Sequence, residues 1–386
     1  MTPLVHDEAL EWRTVERGDL ALAMGPQHPS THGVLQMHIG LVDETVRQLR
    51  CEIGYIHRGV EKLCESLPWD AVAPVLERND YLAPTSNSLA WAVAVEKLAG
   101  VEVPPRARSL RCIMLELQRI ASHLVWAGTF GLDLGGALGG GSTLFLYCFQ
   151  LREEILGLLE EWTGTRFHTN LNQIGGCRYD LFPGFSEKLS AIVQKIPEFL
   201  QAMRGFFFDN EIVRQRCQGI AVLSAQQVRS LGASGAVARA SGVSSDLRVL
   251  DPWDAFVEHP IAEVLRRDGD ILARTDVRLE EILVSAAWLT DELARIPDGG
   301  ITSRPPVRSA KYKVPAGEGY AAIESPRGEM GVWVASDGKF QCTRAKLRSP
   351  SFSNLQAIEM IAPGLYFADL VASVGSLDPV FGDVDR

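Results

Sequence analysis

Gly25-Pro26-Gln27-His28-Pro29-Ser30-Thr31-His32-Gly33 stands near the start of the chain, and Ser376-Leu377-Asp378-Pro379-Val380-Phe381-Gly382-Asp383-Val384-Asp385-Arg386 closes it. The first segment sets two imidazoles on a tight loop. The second is an aspartate-rich tail. Chain ends fray unless they are docked, so a patterned end predicts one buried against the rest of the protein. Working outward from the loop, Leu20 to Met24 alternates weakly and leads into it. Leu35, Met37, Ile39 and Leu41 then alternate with Gln36, His38 and Gly40, the period of a half-buried strand. Asp43-Glu44 can turn the chain into a partner strand, Thr45 to Ile53. A small antiparallel sheet at the N-terminal end is expected.

Helical spacing follows. Ser86 to Leu98 ends at Gly100. Pro105 to Phe130 opens with proline in the first turn and stops before Gly131. Ser142 to Trp162 carries Leu144, Leu146, Leu151, Ile155, Leu158 and Leu159. Ser186 to Phe208, Ser224 to Leu231 behind a Ser-x-x-Gln capping box, and Thr275 to Ile296 complete a set that predicts a bundle core. Asp298 to Pro315, rich in proline, glycine and basic residues, reads as a loop. Tyr320 to Leu347 returns to strand character, with turns at Arg327-Gly328 and Asp337-Gly338-Lys339, and Asn354 to Met360 is a short helix. The expected fold class is α+β, a central helical bundle flanked by small antiparallel β-sheets formed near the two ends. Residues 1–65 would form a β-rich region with the histidine loop. Residues 66–300 would form the bundle, and 301–386 a second β-rich region with the docked tail.

With 386 residues, 46% hydrophobic and 22% charged, the composition is that of a globular protein of one large or two ordinary domains. The net charge of −10 speaks against nucleic acid, whose phosphates need a basic surface. Cys51, Cys64, Cys112, Cys148, Cys177, Cys217 and Cys342 form no Cys-x-x-Cys pair. Their spacing gives no zinc site, cluster-binding run or disulfide framework, and a reducing compartment fits best. Met1 to Arg17 carries acidic residues and no apolar core, so no signal or transit peptide is expected there. Leu134 to Leu151 is uncharged, but a spanning helix needs about 20 predominantly apolar residues. Its glycines and the Ser142-Thr143 pair read as a loop entering a helix. A soluble chain, or one peripheral to a membrane, is expected.

Several segments could carry chemistry. Histidines four apart on a helix form zinc pairs, yet Pro29 pushes His28 out of helical conformation and no glutamate follows it. Two readings stay open: the imidazoles brace a turn, or one donates a hydrogen bond to a bound carbonyl. Histidine suits proton delivery because its unperturbed pKa is about 6.5. The run Gly135 to Gly141 lacks the Gly-Lys-Ser/Thr ending of a phosphate loop and reads as a close backbone passage. Gly54 to Lys62 looks like a solvated helix start, Arg78-Asn79-Asp80-Tyr81 like a surface turn, and His123 like a satisfied core residue of its apolar helix.

Taken in order, other segments say more. The series runs through Gly25–Gly33, Tyr55–Lys62, Arg78–Tyr81, Ala94–Leu98, Val103–Ala107, Ala121–Leu124 and Gly131–Gly135. It continues with Ser241–Val243, Asp246–Arg248, Arg327–Glu329, Val334–Gly338 and Asp378–Arg386. Over nearly the whole chain this resembles the D-subunit family of respiratory complex I, the large quinone-site subunits of NADH–quinone oxidoreductases. That family looks like a nickel–iron hydrogenase large subunit without its metal. Where hydrogenases carry two Cys-x-x-Cys pairs, this chain has Asp80-Tyr81-Leu82-Ala83 and Val380-Phe381-Gly382-Asp383. Soft metals require thiolates, so no nickel or iron and no hydrogenase activity are expected.

The resemblance implies that the cavity so vacated takes a quinone headgroup. His32 and Tyr81 match the two headgroup donors, and Asp133 the acidic partner of the histidine. His28, Asp378 and Val380 would line the cavity. Arg58, Arg78 and His123 would lie beside the terminal 4Fe–4S cluster, which a neighbouring subunit holds. The implied partners are that neighbour, the other peripheral-arm subunits and the membrane arm, on the cytoplasmic face of a bacterial cell membrane, with reduction driving ion translocation. The chain departs from the family at Ala83, usually serine, at Gln36, usually arginine, and over Ala137–Thr143, which is longer and richer in glycine. Between Pro306 and Gly319 it lacks roughly one helix, which bears on assembly. The rival readings are an equivalent subunit fed by ferredoxin or another donor, and a paralogue that docks without turnover.

Overall fold

The computed structural model describes residues 19–135, 140–303 and 312–386. The glycine stretch 136–139 and residues 304–311 of the shortened region lie outside them.

Strands β1 (Asp19–Met24), β2 (Gln36–Val42) and β3 (Thr45–Glu52) form an antiparallel sheet in sequence order. The alternation works as expected: Met37, Ile39 and Leu41 are buried, and Ile39 pairs with Leu22 and Leu49. Asp43 turns the chain with φ 55°. A short helix, α1 (Val60–Ser66), then leads to α2 (Pro84–Ala99), which ends on Gly100 in the left-handed conformation. That is the residue able to adopt it without a Cβ penalty. Helix α2 is buried nearly throughout because a second sheet covers it. That sheet comprises β4 (Gly317–Ser325), β5 (Gly328–Ser336) and β6 (Arg344–Arg348), in the order β6-β5-β4. Gly319 lies so close to α2 that a Cβ would stand 2.5 Å from the Ala94 carbonyl.

The bundle is built on α3 (Pro105–Gly135) and α4 (Gly141–Thr163). These pack closely because Gly128, Gly131 and Gly141 carry no side chain: a Cβ on Gly128 would lie 3.2 Å from Phe145 Cα, and one on Gly141 would overlap the Gly131 carbonyl. The close passage expected of the glycine segment is therefore found at its described end. The helix expected over Ser186–Phe208 is divided into Phe185–Val193, Ile196–Met203 and a π-helical turn, Arg204–Phe208. Pro197 supplies no N–H to continue the first helical ladder. Helix α5 (Ile271–Leu293) begins four residues before its expected start. Asp270 caps it, accepting from Ala273 N at 2.7 Å and also from Gly219 N at 2.7 Å.

After β6, two short helices, Pro350–Leu355 and Ala357–Ile361, replace the one expected over 354–360. Helix α6 (Phe367–Leu377), which the sequence reading missed, runs into the tail helix α7 (Phe381–Asp385). The tail is docked. Residues 381–385 are buried, and the Asp385 carboxylate accepts from Gly54 N at 2.8 Å and Ile56 N at 2.9 Å. The tail thus closes on the segment after β3, and one hydrophobic core runs through all three regions, from Ile39 through Leu117 to Val334. Among the described residues, no helix is long and apolar enough to cross a membrane.

Candidate functional site

The two histidines of the N-terminal loop part company. His28 Nδ1 accepts from Ser30 N at 3.2 Å, and Thr31 Oγ1 donates to the His28 and Gly33 carbonyls. His28 is exposed and braces the turn, so it does not line the cavity as expected. The turn delivers His32 in the left-handed region, at φ 59°, with Gly33 lodged against the ring of Phe381. His32 Nε2 then meets Asp133 Oδ2 of α3 at 2.6 Å, and both side chains are largely buried. Burial works to depress the imidazole pKa. The Asp133 hydrogen bond and charge, with the charge of Asp378, outweigh it and raise the pKa above the ordinary value. The shift favours the protonated ring relative to a free imidazole.

Tyr81 reaches the same place from the other side. The segment before it is no surface turn: Asn79 and Asp80 are buried. Asp80 Oδ1 accepts from Leu82 N and Ala83 N, both at 3.1 Å, and Asp80 Oδ2 pairs with Arg327 at 2.9 Å. Arg58 Nη2 donates to Asn79 Oδ1 at 2.9 Å. These bonds fix the backbone and leave the Tyr81 ring 40% exposed. Its phenol is pushed up, first by burial against its neighbours and then by the charge of Asp80.

A cavity of about 470 Å³ joins the two donors. His32, Asp133 and Tyr81 line it together with Asp378 and Val380, and Leu82, Val125 and Leu132 give it apolar walls. Asp378 caps α6 at φ 54° and lies 3.5 Å from Arg327. One of its oxygens, Oδ2, is buried without a hydrogen bond. The segments Asp80–Ala83 and Val380–Asp383 come together. A Cβ on Gly382 would sit 2.5 Å from the Asn79 carbonyl. Burial, then the neighbouring Asp80, pushes the Asp383 carboxyl up to about 6. Among the described residues no group of three or more His, Cys, Asp and Glu is placed to hold a metal ion.

The residues expected beside a cluster are not all brought together. Arg58 donates to the Arg78 carbonyl at 2.9 Å, and burial with the nearby Arg78 lowers the pKa of its guanidinium. His123 is elsewhere. It is fully buried in α3 and bonds Glu281 of α5 at 2.9 Å, inside a core that also holds Arg239 and Arg119. Burial depresses its pKa despite Glu281. Helix α3 turns this position inward, as the bland reading of a satisfied core histidine has it. The histidine that stands by the arginines is His168. Burial and the charges of Arg78 and Arg58 lower its pKa, and its Nδ1 has no partner. The sequence reading missed His168 because it lies in irregular chain after α4, where no periodicity points to it.

Cavity, dyad and phenol together offer two hydrogen-bond donors to a planar, largely apolar ligand. Known proteins bear on which ligand that is. The family model described as respiratory-chain NADH dehydrogenase, 49 Kd subunit, matches residues 139–309 and 306–386. The chain is 38% identical to the D 2 subunit of the NADH-quinone oxidoreductase of Koribacter versatilis (strain Ellin345), covering 95% of this chain and 96% of that protein. It is 40% identical to the D 2 subunit of the same enzyme in Solibacter usitatus (strain Ellin6076), covering 95% and 97%. A solved chain of the membrane-bound sulfane sulfur reductase, an archaeal respiratory membrane complex, superposes with a TM-score of 0.91 at 29% identity, covering 96% of this chain and 100% of that one.

Proposed function

The chain belongs to the family of 49 kDa subunits of respiratory-chain NADH dehydrogenases, and from that premise we propose that its cavity binds a quinone headgroup and protonates it as it is reduced. The observation that carries the reading is the 2.6 Å His32–Asp133 pair sharing one cavity with Tyr81. Quinone reduction takes two electrons and two protons, one proton to each carbonyl oxygen. His32 Nε2 is committed to Asp133, which leaves Nδ1 as the nitrogen able to reach a ligand. A protonated imidazole there and the Tyr81 hydroxyl supply the two protons by general acid catalysis. Asp133 holds the ring in place and stabilises its cationic form. The apolar walls lower the local dielectric and strengthen these interactions.

In this reading the electrons come from a 4Fe–4S cluster held by a neighbouring subunit, and Arg58 and Arg78 form the cationic edge that faces it, with His168 beside them, its pKa lowered by burial and by their charges. His168 takes the place expected for His123. The relatives from Koribacter and Solibacter are subunits of NADH-quinone oxidoreductases, which supports NADH as the ultimate donor and the peripheral and membrane arms as partners. The chain then works as a peripheral subunit on the cytoplasmic face of a bacterial membrane, and ion translocation belongs to the membrane partners. The likeness to a chain of the sulfane sulfur reductase favours a second reading: an equivalent subunit in a complex with another donor and acceptor. Retention of His32, Asp133 and Tyr81 around one cavity supports the first.

His32→Ala and Tyr81→Phe in the assembled complex test it. Each is expected to lower quinone reduction by about 10²-fold or more, the scale of a lost general acid. Reduction of the neighbouring cluster, followed by electron paramagnetic resonance, should stay intact. Wild-type quinone turnover in both variants sinks the proposal, and loss of cluster reduction together with turnover assigns the residues to assembly instead.

A further inference from the structure

Helix α6 passes directly behind the His32–Asp133 pair, and Gly375 is its point of closest approach. A Cβ on Gly375 would stand 2.5 Å from Asp133 Oδ2, 3.0 Å from His32 Nε2 and 3.3 Å from Phe130 Cδ2. The first two are the atoms that share the 2.6 Å hydrogen bond. Glycine is unfavourable inside a helix relative to alanine, and Gly375 has no positive φ. Its reason for being there is space.

The Gly375 carbonyl has a second task. It accepts from Trp126 Nε1 at 2.9 Å and from Asp378 N at 3.1 Å. Trp126, Phe130 and Asp133 follow one another at helical spacing down one face of α3, with the Trp126 and Phe130 rings stacked at 5.0 Å. The Arg278 guanidinium of α5 lies 4.5 Å from the Trp126 ring centre. One residue therefore touches the donor pair with its missing side chain and anchors the opposite cavity wall, through Asp378, with its carbonyl.

We propose that Gly375, held by Trp126, is a positioning residue for the headgroup donors, setting both the His32–Asp133 contact and its placement against the Asp378–Val380 wall. This rests on the quinone reading above. The charged groups facing His32 are Asp133 from α3 and Asp378 from the end of α6, with Arg327 and Arg278 behind Asp378 and the neutral Tyr81 phenol across the cavity. A methyl group at 375 must widen the dyad or push α6 back and carry Asp378 with it. Either way His32 loses part of the attraction that opposes burial, and it gives up its proton at lower pH.

The test uses the assembled complex with Gly375→Ala, Trp126→Phe, His32→Ala and, as a packing control, Gly128→Ala at the α3–α4 contact. Quinone-reductase rate against pH, KM and kcat for a short-chain quinone, and cluster reduction are measured for each. For Gly375→Ala the alkaline limb of the rate profile should move about one pH unit to lower pH, so the rate on that limb falls about tenfold, with cluster reduction intact. For Trp126→Phe, which keeps an aromatic ring on the cavity wall but removes the indole N–H with its five-membered ring, KM should rise several-fold with little change in kcat. A wild-type profile for Gly375→Ala overturns the inference, and so does an equal shift in Gly128→Ala. If Gly375→Ala does not assemble, Trp126→Phe decides, since it adds no bulk; unchanged KM and pH profile then overturn it. A fast His32→Ala enzyme would instead bring down the quinone reading itself.

Discussion

The proton on His32 is held by a balance with a definite sign. Burial alone would strip it, and two carboxylates, one bonded and one across the cavity, reverse the outcome. A folded pKa raised above the unfolded value stabilises the protein below about 6.5, and that contribution disappears as pH rises through the folded value. Asp133→Asn removes the larger attraction and leaves burial in control. The variant should therefore lose thermal stability at pH 6, lose less at pH 9, and show its fall in quinone reduction starting at lower pH. Melting curves at the two pH values check the first part; an equal loss at both would mean that Asp133 acts by packing alone. At this scale the sequence was legible where a residue type sat in an unusual local pattern. The turn braced at His28 follows from Pro29, whereas His32 and Tyr81 stand out only through the family resemblance, since their own segments read as a braced loop and a surface turn. His123 and His168 were not distinguishable, because α3 is buried on nearly every side. A helix without a polar face gives no clue to which neighbour a given side chain meets.

Among the elements, the tail helix α7 braces the segments that carry the cavity's two donors. It carries Phe381 against Gly33, below the histidine turn, and Gly382 against Asn79, beside Tyr81. Two backbone donors, Gly54 N and Ile56 N, hold it on the Asp385 carboxylate, beside bonds from Ser351 N to Asp383 and between His57 and the Asp385 carbonyl. Asp385→Ala leaves both amides without that partner, at about 1–3 kcal/mol for each that stays buried. Hydrogen exchange should then speed up at residues 54–56 and 381–385, while the β4–β6 sheet keeps its protection. Uniform acceleration would instead mean global destabilisation, and no change would mean that other contacts hold the tail. Docking of the tail was readable because a patterned run of residues at a terminus needs a partner. Helix α6 was not readable. Tyr366 caps it without a side-chain bond, and its residues from Ala372 to Leu377 are buried all round, so neither a start signal nor a period marks it. The break within 185–208 was missed for the opposite reason: the apolar spacing continues across Pro197 although the hydrogen bonds do not.

For the molecule as a whole, the last region meets the Asn79–Asp80 segment of the bundle region, and carboxyl groups face each other there. Asp383 is buried beside Asp80 and is pushed up to about 6; Asp254, buried between Arg111 and Glu96, likewise reaches about 6. An acid whose pKa is raised on folding favours the folded state below its unfolded value, about 3.9, and opposes it once pH passes the folded value. Each pKa unit is worth about 1.4 kcal/mol. Above pH 6 the ionised Asp383 therefore costs on the order of 3 kcal/mol, a net figure that already includes its bonds from Ser349 and Ser351. Asp383→Asn keeps the shape and removes the charge. It should raise the melting temperature at pH 8, by roughly 1 °C for each kcal/mol gained in a chain of 386 residues, and the advantage should shrink steadily between pH 6 and pH 4. A gain that persists unchanged at pH 4 would show that it comes from the amide's own hydrogen bonds. A loss at pH 8 would show that the charge is matched by an attraction to Arg327 strong enough to overcome burial. In either case the docking of the tail would rest on a different balance from the one the geometry around Asp383 and Asp80 implies.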